Sequence, residues 1–327
     1  MIRILDGEAV RSLVEPAGVL AAMRELFRLS ADPDEVGYGR LEIPYPRGWI
    51  RLLPAYIRPL GVFGFKTLHR ASPGMRYAIY VHDLETGAPA GIVDGLEVTN
   101  LRTGAVTAVG SDHLAPAVVE SAAIVGTGAV GAGQVVALDL VRPAGELRVY
   151  ARAPEKRRGF IQRMEGSLSC SLVEAESLEE AIEGTQMVTL ATSSREPILG
   201  AGHLRAGMHV NSVGPASLSR QEIDPEAFGE FDRVVCDSVE LVFREAGDAA
   251  RAFDAGGFDL EGADDLSALV TGARPGRVSA GELTMFKSVG NGLQDLVVAR
   301  WLLDEAARTG VGETVGDFMS VKVPQTG

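Results

Sequence analysis

Residues 121–138, SAAIVGTGAVGAGQVVAL, carry no charged side chain over a length sufficient for a membrane-spanning helix. Glycines at 126, 128, 131 and 133, with Thr127 and Gln134 among them, make a continuous apolar helix a poor reading. The stretch resolves better as three pieces: a strand over Ala122–Val125, a loop Gly126-Thr127-Gly128-Ala129-Val130-Gly131, and a helix over about Val130–Leu140. In that setting GxGxxG has a mechanism. The first glycine permits the turn, the second lets a pyrophosphate approach the backbone, and the third lets helix and strand pack closely. The helix N-terminus adds N–H donors and partial positive charge. Gly126, Gly128, Ala129, Val130 and Gly131 are therefore candidate cofactor-binding residues, against the alternative of a tight turn with no ligand.

An NAD-binding loop of this type is usually followed, about 20 residues on, by Asp or Glu at the end of the second strand, where it accepts from the ribose hydroxyls. Here the strand Leu147–Tyr150 ends at Ala151-Arg152, without a carboxylate. Arg152, with Lys156 or Arg157 on the following helix, suits a 2′-phosphate through charge-assisted hydrogen bonds. NADP is the expected cofactor and NAD the alternative; a solvated basic helix face is the competing reading of these cations.

The 327 residues suggest about two domains. Lys+Arg total 31 against 44 Asp+Glu, a net charge of −13, which repels phosphate backbones and anionic lipid and argues against nucleic-acid and membrane partners. Cys170 and Cys236 have no CxxC neighbours, so neither a disulfide scaffold nor a zinc ribbon is expected, and a reducing cytoplasm fits. Asp6 and Glu8 interrupt the apolar core that a secretory signal would need. His69, His82, His113, His203 and His209 form no ligand-spaced set, and no metal is expected.

The first thirty residues read as helices, with Asp6 as a cap and Pro16 in a first turn. From Tyr38 to about Val98 short β-type runs broken by Pro and Gly predominate, with a hairpin turn over Glu85–Pro89. Helix resumes from Thr99 through Leu114. Strands at Ala122–Val125, Leu147–Tyr150, Met187–Leu190, Met208–Val213 and Arg233–Asp237 then alternate with helices at about Glu155–Met164 and Leu178–Glu183, which implies a parallel sheet with helices on both faces. An amphipathic helix over about Asn291–Arg308 follows.

Four segments, ETGAPAGIVDGLEVTNLRTGAVTAV, IVGTGAVG, ATSSREPILGAGHLRAGMHVNSVG and FKSVGNGLQDL, resemble the ornithine cyclodeaminase/mu-crystallin family in order and spacing. The resemblance implies a bilobed α/β subunit: an α+β substrate-binding and dimerisation domain over residues 1–115 with 309–327, and a Rossmann dinucleotide-binding domain over 116–308. It implies a homodimer and a small amino, imino or 2-oxo acid as substrate. By the same resemblance Arg40, Lys66 and Arg102 bind the substrate carboxylate and the reacting centre, with Arg47 and Arg51 as rivals to Arg40 and with Lys66 and Arg102 the catalytic pair. Thr192, Asn211 and Val213 would touch the cofactor, while Ser288 and Val289 would flank the nicotinamide or substrate; Ser288 is otherwise a helix cap.

One departure separates activities within the family. Cyclodeaminases, and the related archaeal alanine dehydrogenases, carry an acidic residue in a GxDxPGKxEL pattern, whereas here the stretch begins Gly214-Pro215-Ala216. Without that carboxylate a distal ammonium loses its partner, at about 1.5–3 kcal/mol. The expected activity is accordingly that of an NAD(P)-dependent oxidoreductase, reducing a small cyclic imino acid in the manner of a ketimine reductase or interconverting a 2-oxo or imino acid and an amino acid. The alternatives are an ornithine cyclodeaminase-type ammonia lyase using another base such as Glu222, and a protein that binds NADPH and a small ligand without turnover.

Overall fold

The computed structural model describes residues 1–71, 74–214, 216–317 and 319–320; Pro215 of the substituted loop and residues 321–327 of the expected C-terminal return lie outside them. The described residues form two compact units, one from those within 1–15, 32–99 and 291–320, the other from those within 16–31 and 100–290.

The first unit opens with a strand, β1 (Ile2–Leu5), where the sequence reading began with helix. Four residues are too few to show a period, and backbone pairing on both edges decides the conformation. Asp6 then caps α1 (Gly7–Leu13), accepting from the amides of Glu8 and Ala9. After α2 (Pro16–Leu29), which belongs to the second unit, come β2 (Val36–Tyr38), β3 (Leu41–Tyr45), β4 (Gly48–Ile57), β5 (Val62–Ala71), β6 (Gly74–Asp83) and β7 (Pro89–Asp94). Strands β4 to β7 form an antiparallel meander. Its last turn falls at the expected hairpin, where Asp83 accepts from the amide and hydroxyl of Thr86. Along β4, Leu53, Ala55 and Ile57 are buried while Ile50 and Tyr56 are 38% and 37% exposed, so one face of the sheet covers a core and the other is apolar and open.

Helix α3 (Gly95–Leu114) carries the chain into the second unit. There follow β8 (Val119–Val125), α4 (Ala129–Asp139), β9 (Ala144–Tyr150), α5 (Pro154–Met164), β10 (Ser171–Glu174), α6 (Leu178–Ile182), β11 (Met187–Leu190), β12 (His209–Ser212), β13 (Arg233–Cys236), α7 (Val239–Glu245), α8 (Gly247–Asp254), β14 (Ala263–Asp265), α9 (Leu266–Val270) and β15 (Thr284–Lys287). Among the described residues these strands form one sheet in the order β10-β9-β8-β11-β12-β15-β13-β14, every pair parallel. Strand β8 shows why: Ala122 and Ile124 join an apolar cluster with Val135, Leu138 and Phe160, while Ala123 and Val125 join another with Leu190, Phe228 and Val242. Both faces are covered, as in a doubly wound Rossmann-type sheet.

The chain then returns to the first unit through α10 (Gly292–Thr309) and a strand at Glu313–Val315 that pairs with β1. Helix α10 packs on β4, β5 and β6, and α2 packs on α9 and α4. The unit boundaries thus differ from the division expected from sequence, which placed residues 16–31 and 100–115 in the first domain and 291–308 in the second. Two glycines bring α10 down onto the sheet: a Cβ on Gly64 would lie 3.0 Å from the Leu296 side chain, and one on Gly91 2.5 Å from that of Leu303. Among the described residues no helix is long and apolar enough to cross a membrane.

Candidate functional site

The glycine loop leaves β8 at Gly126, whose φ of +112° is reserved for glycine and whose added Cβ would strike the Ala191 carbonyl at 2.3 Å. Gly131 lies against the Gly126 carbonyl, 2.2 Å from where its Cβ would stand, so helix and loop close on one another. Gly128, by contrast, has no atom within 4 Å of that position. It is the N-cap of α4 and no side chain caps that terminus, which directs the first-turn amides of Ala129, Val130 and Gly131 into open space. These three features fit a dinucleotide pyrophosphate.

At the end of β9, Arg152 is exposed and no carboxylate is present at 151 or 152. Arg157, one of the two helix cations offered as its companion, is buried: it donates to Glu174 at 3.0 Å and to the Ala151 carbonyl at 2.9 Å. Lys156, in the first turn of α5, is exposed. Arg163, which sequence reasoning passed over, stacks on Phe160 and reaches the Thr127 carbonyl at 3.2 Å.

The LRTGA segment lies on α3. Gly104 there would place a Cβ 2.2 Å from the Gly133 carbonyl of α4, so the glycine is needed for the crossing of the two helices. Arg102, two positions earlier, is 8% exposed, and its guanidinium stands 2.3 Å from where a Cβ on Gly290 would be. The Ser288–Gly290 loop is in turn gathered by Asp237, which accepts from the Ser288 hydroxyl at 2.8 Å and from the Val289 and Gly290 amides at 3.2 and 2.8 Å. The structure therefore brings Arg102, Ser288 and Val289 together, with Asp237 beneath them. Ser288 is not the helix cap; Asn291 is, accepting from the amides of Leu293 and Gln294. Asp237 was legible only as the last residue of a predicted strand, at the carboxyl end where such sheets bind ligands.

Thr192 and Gly214, which follow β11 and β12, are tied to one buried carboxylate, while the amide of Val213, the residue before Gly214, donates to the Leu190 carbonyl at 3.0 Å. Glu222 accepts from the Thr192 amide at 2.7 Å, the Thr192 hydroxyl at 2.9 Å, the Ser212 hydroxyl at 2.8 Å and the Gly214 amide at 2.9 Å. Burial pushes its pKa up, against the Lys287 charge and the hydrogen bonds from Thr192 and Ser212. Lys287 donates to Ser212 at 2.8 Å and to Asp248 at 2.9 Å. Burial would raise the Asp248 pKa too, but the Lys287 ammonium and the Glu222 and Ile223 amides outweigh it and hold it below the usual carboxylate value. Ala216 offers no side-chain polar group on this loop.

Asn211 is fully buried. Its side chain accepts from Ser111 at 3.1 Å, contacts His209 at 3.1 Å and donates to Thr189 at 3.3 Å, which sets it in an interior polar network. Burial, followed by the Arg277 charge, drives the His209 pKa down to about 3.

In the first unit Lys66 points from β5 into the covered face, 2% exposed. Its ammonium donates to Thr99 at 2.6 Å and to Asp295 at 2.9 Å and lies 5.6 Å from the Tyr77 ring centre. Arg40, two residues past β2, is half-buried. Its rivals are otherwise placed: Arg47 is exposed, and Arg51 pairs with Glu42 at 2.5 Å over the Trp49 ring. Among the described residues no group of three or more His, Cys, Asp or Glu could hold a metal.

The sequence model of the ornithine cyclodeaminase/mu-crystallin family matches residues 30–310. A Delta(1)-pyrroline-2-carboxylate reductase of Bacillus cereus is 32% identical over 240 residues, 72% of this chain and 73% of that protein. The solved structure of Thermococcus litoralis Delta(1)-pyrroline-2-carboxylate reductase, in complex with NADH and L-proline, superposes with a TM-score of 0.91 at 28% identity, covering 96% of this chain and all 100% of the other. An archaeal alanine dehydrogenase dimer with bound NAD gives a TM-score of 0.89 at 26% identity, over 97% and 99% of the two chains.

Proposed function

The chain belongs to the ornithine cyclodeaminase/mu-crystallin family, and from that premise we propose that it is an NAD(P)-dependent oxidoreductase that reduces a small cyclic imino acid of the Delta(1)-pyrroline-2-carboxylate type, with NADPH preferred. The observation that carries this reading over cyclodeamination is the loop after β12. Where cyclodeaminases hold an acidic residue it offers Ala216, and the nearest candidate base, Glu222, is enclosed by four donors. A distal ammonium finds no carboxylate there. A cyclic imine needs only its carboxylate held and its nitrogen protonated.

The first-turn amides of α4 would hold the pyrophosphate, and Arg152 with Lys156 the 2′-phosphate. Thr192 and Val213 line the cofactor side, and Ser288 and Val289 the nicotinamide end. When bound, the dinucleotide supplies a hydride to C2. Arg102 and Arg40 take the substrate carboxylate, fixing the reacting carbon, and the Lys66 ammonium gives its proton to the imine nitrogen. A homodimer is proposed through the open face of the first unit's sheet, where Leu41, Ile43, Ile50 and Tyr56 are exposed beside the stacked pairs Phe63–His82 and Phe65–Tyr80. The test pairs two assays on one preparation: NADPH consumption with the cyclic imine, expected to be brisk and to fall about 10²–10⁴-fold in Lys66→Ala, and ammonia release from L-ornithine, expected to be slight. Rapid ornithine turnover would return cyclodeamination to first place.

A further inference from the structure

Lys66 is one of only four lysines in the chain, with Lys156, Lys287 and Lys322. Its side chain and that of Asp295 are each 1% exposed, and they form an ion pair at 2.9 Å across 229 residues of sequence. The meeting is built by the backbone. Gly64, two residues from Lys66 on the same face of β5, lets α10 lie close, and Gly292 would clash with the Leu53 carbonyl at 2.7 Å if it bore a Cβ. Asn291 caps the helix and fixes the azimuth of its first turn, so that Asp295 faces the strand. A buried ammonium with no counter-charge loses its proton, because desolvation disfavours the charged form. A carboxylate in contact reverses that preference.

We propose that Asp295 is the positioning residue that keeps the buried Lys66 side chain protonated and aimed for proton delivery, with the Thr99 hydroxyl as its second anchor. This rests on the reading of Lys66 as the proton donor. In the step, the Lys66 N–H bond breaks and an N–H bond forms at the imine nitrogen, while C2 receives the hydride from NAD(P)H; the amine product and oxidised cofactor leave, and neutral Lys66 recovers its proton from water. Asp295 touches no reacting atom. Around the ammonium α10 presents Asp295 and β6 presents Tyr77; α3 presents Thr99, and β4 presents the apolar Leu53.

The test compares Asp295→Asn, Asp295→Glu and Lys66→Ala with wild type, reading cyclic-imine reduction across pH and, independently, the Lys66 signal in ¹³C-lysine-labelled protein as pH is raised. With four lysines the spectra are simple to assign. The expected result for Asp295→Asn is a loss of about 10²-fold or more in kcat at pH 7.5, with cofactor Kd and KM within about 3-fold. Activity should be partly restored at pH 6, and the Lys66 resonance should titrate at lower pH than in wild type. Asp295→Glu should recover part of the rate. An unchanged Lys66 titration in a folded Asp295→Asn protein overturns the proposal, as does a rate loss that lower pH does not relieve. If instead Lys66→Ala retains full imine reduction, the proton-donor reading fails, and the titration still decides whether Asp295 holds the charge.

Discussion

In the proposed reading one side chain, Arg152, decides between two cofactors that differ by a phosphate. A hydrogen bond to a charged group contributes about 1.5–3 kcal/mol, and positions 151 and 152 carry no carboxylate to serve a ribose in its place. Arg152→Ala should weaken NADPH binding by about 10-fold or more while leaving NADH within about 2-fold, as read by fluorescence titration; equal losses for both cofactors would remove Arg152 from the phosphate site. His209 makes a second prediction at this scale. Its folded pKa of about 3 lies below the unfolded 6.5, so between those values the unfolded chain binds the extra proton and stability rises with pH. The contribution, roughly 4–5 kcal/mol by the shift, is complete above pH 6.5 and drains away as pH falls toward 3. Denaturant midpoints should fall between pH 7 and pH 4, and fall less in a folded His209→Gln variant; parallel curves for the two proteins would assign acid sensitivity elsewhere. Not all of this was visible in the sequence. Lys66 and Arg102 stand in recognisable motifs, but Asp295 and Asp237 acquire meaning only from partners 229 and 51 residues away.

The glycines explain what could be read at the level of elements. GxGxxG announced a strand, a loop and a helix because each glycine answers a local steric demand, and the structure realises all three. LRTGA is equally steric: Gly104 and Gly133 let α3 and α4 cross with backbone nearly touching backbone. Gly104→Val should therefore overpack that crossing, costing about 1–3 kcal/mol and lowering the urea midpoint, whereas Gly202→Val, in open surroundings, should be close to neutral. Similar losses at both positions would deny the crossing its special role. Among the elements that escaped notice are β1, β10, β14 and β15, each of three or four residues. So short a run carries no period of its own, and its conformation comes from neighbouring strands that the local sequence does not reveal. The units to which α2 and α10 belong differ from the division expected from sequence for a related reason. An amphipathic pattern states that a helix has an apolar face, not which sheet or helix that face meets.

For the whole molecule, the open apolar face of the first sheet is the feature that an isolated subunit leaves unexplained. The proposed dimer covers it, so light scattering should return twice the monomer mass, and Ile43→Glu combined with Tyr56→Lys should shift the protein toward monomer without unfolding it; a wild-type monomer at micromolar concentration would contradict the assembly. The catalytic account makes a more direct demand. It has a hydride pass from NADPH to C2 of a cyclic imino acid while Lys66 protonates the nitrogen. The measurement that tests this is the fate of deuterium from 4-deuterated NADPH, of the correct face, incubated with Delta(1)-pyrroline-2-carboxylate. The account predicts proline carrying one deuterium at C2 for each cofactor oxidised, in wild type and not in Lys66→Ala. No cofactor oxidation and no labelled proline, alongside rapid release of ammonia from L-ornithine, would contradict it.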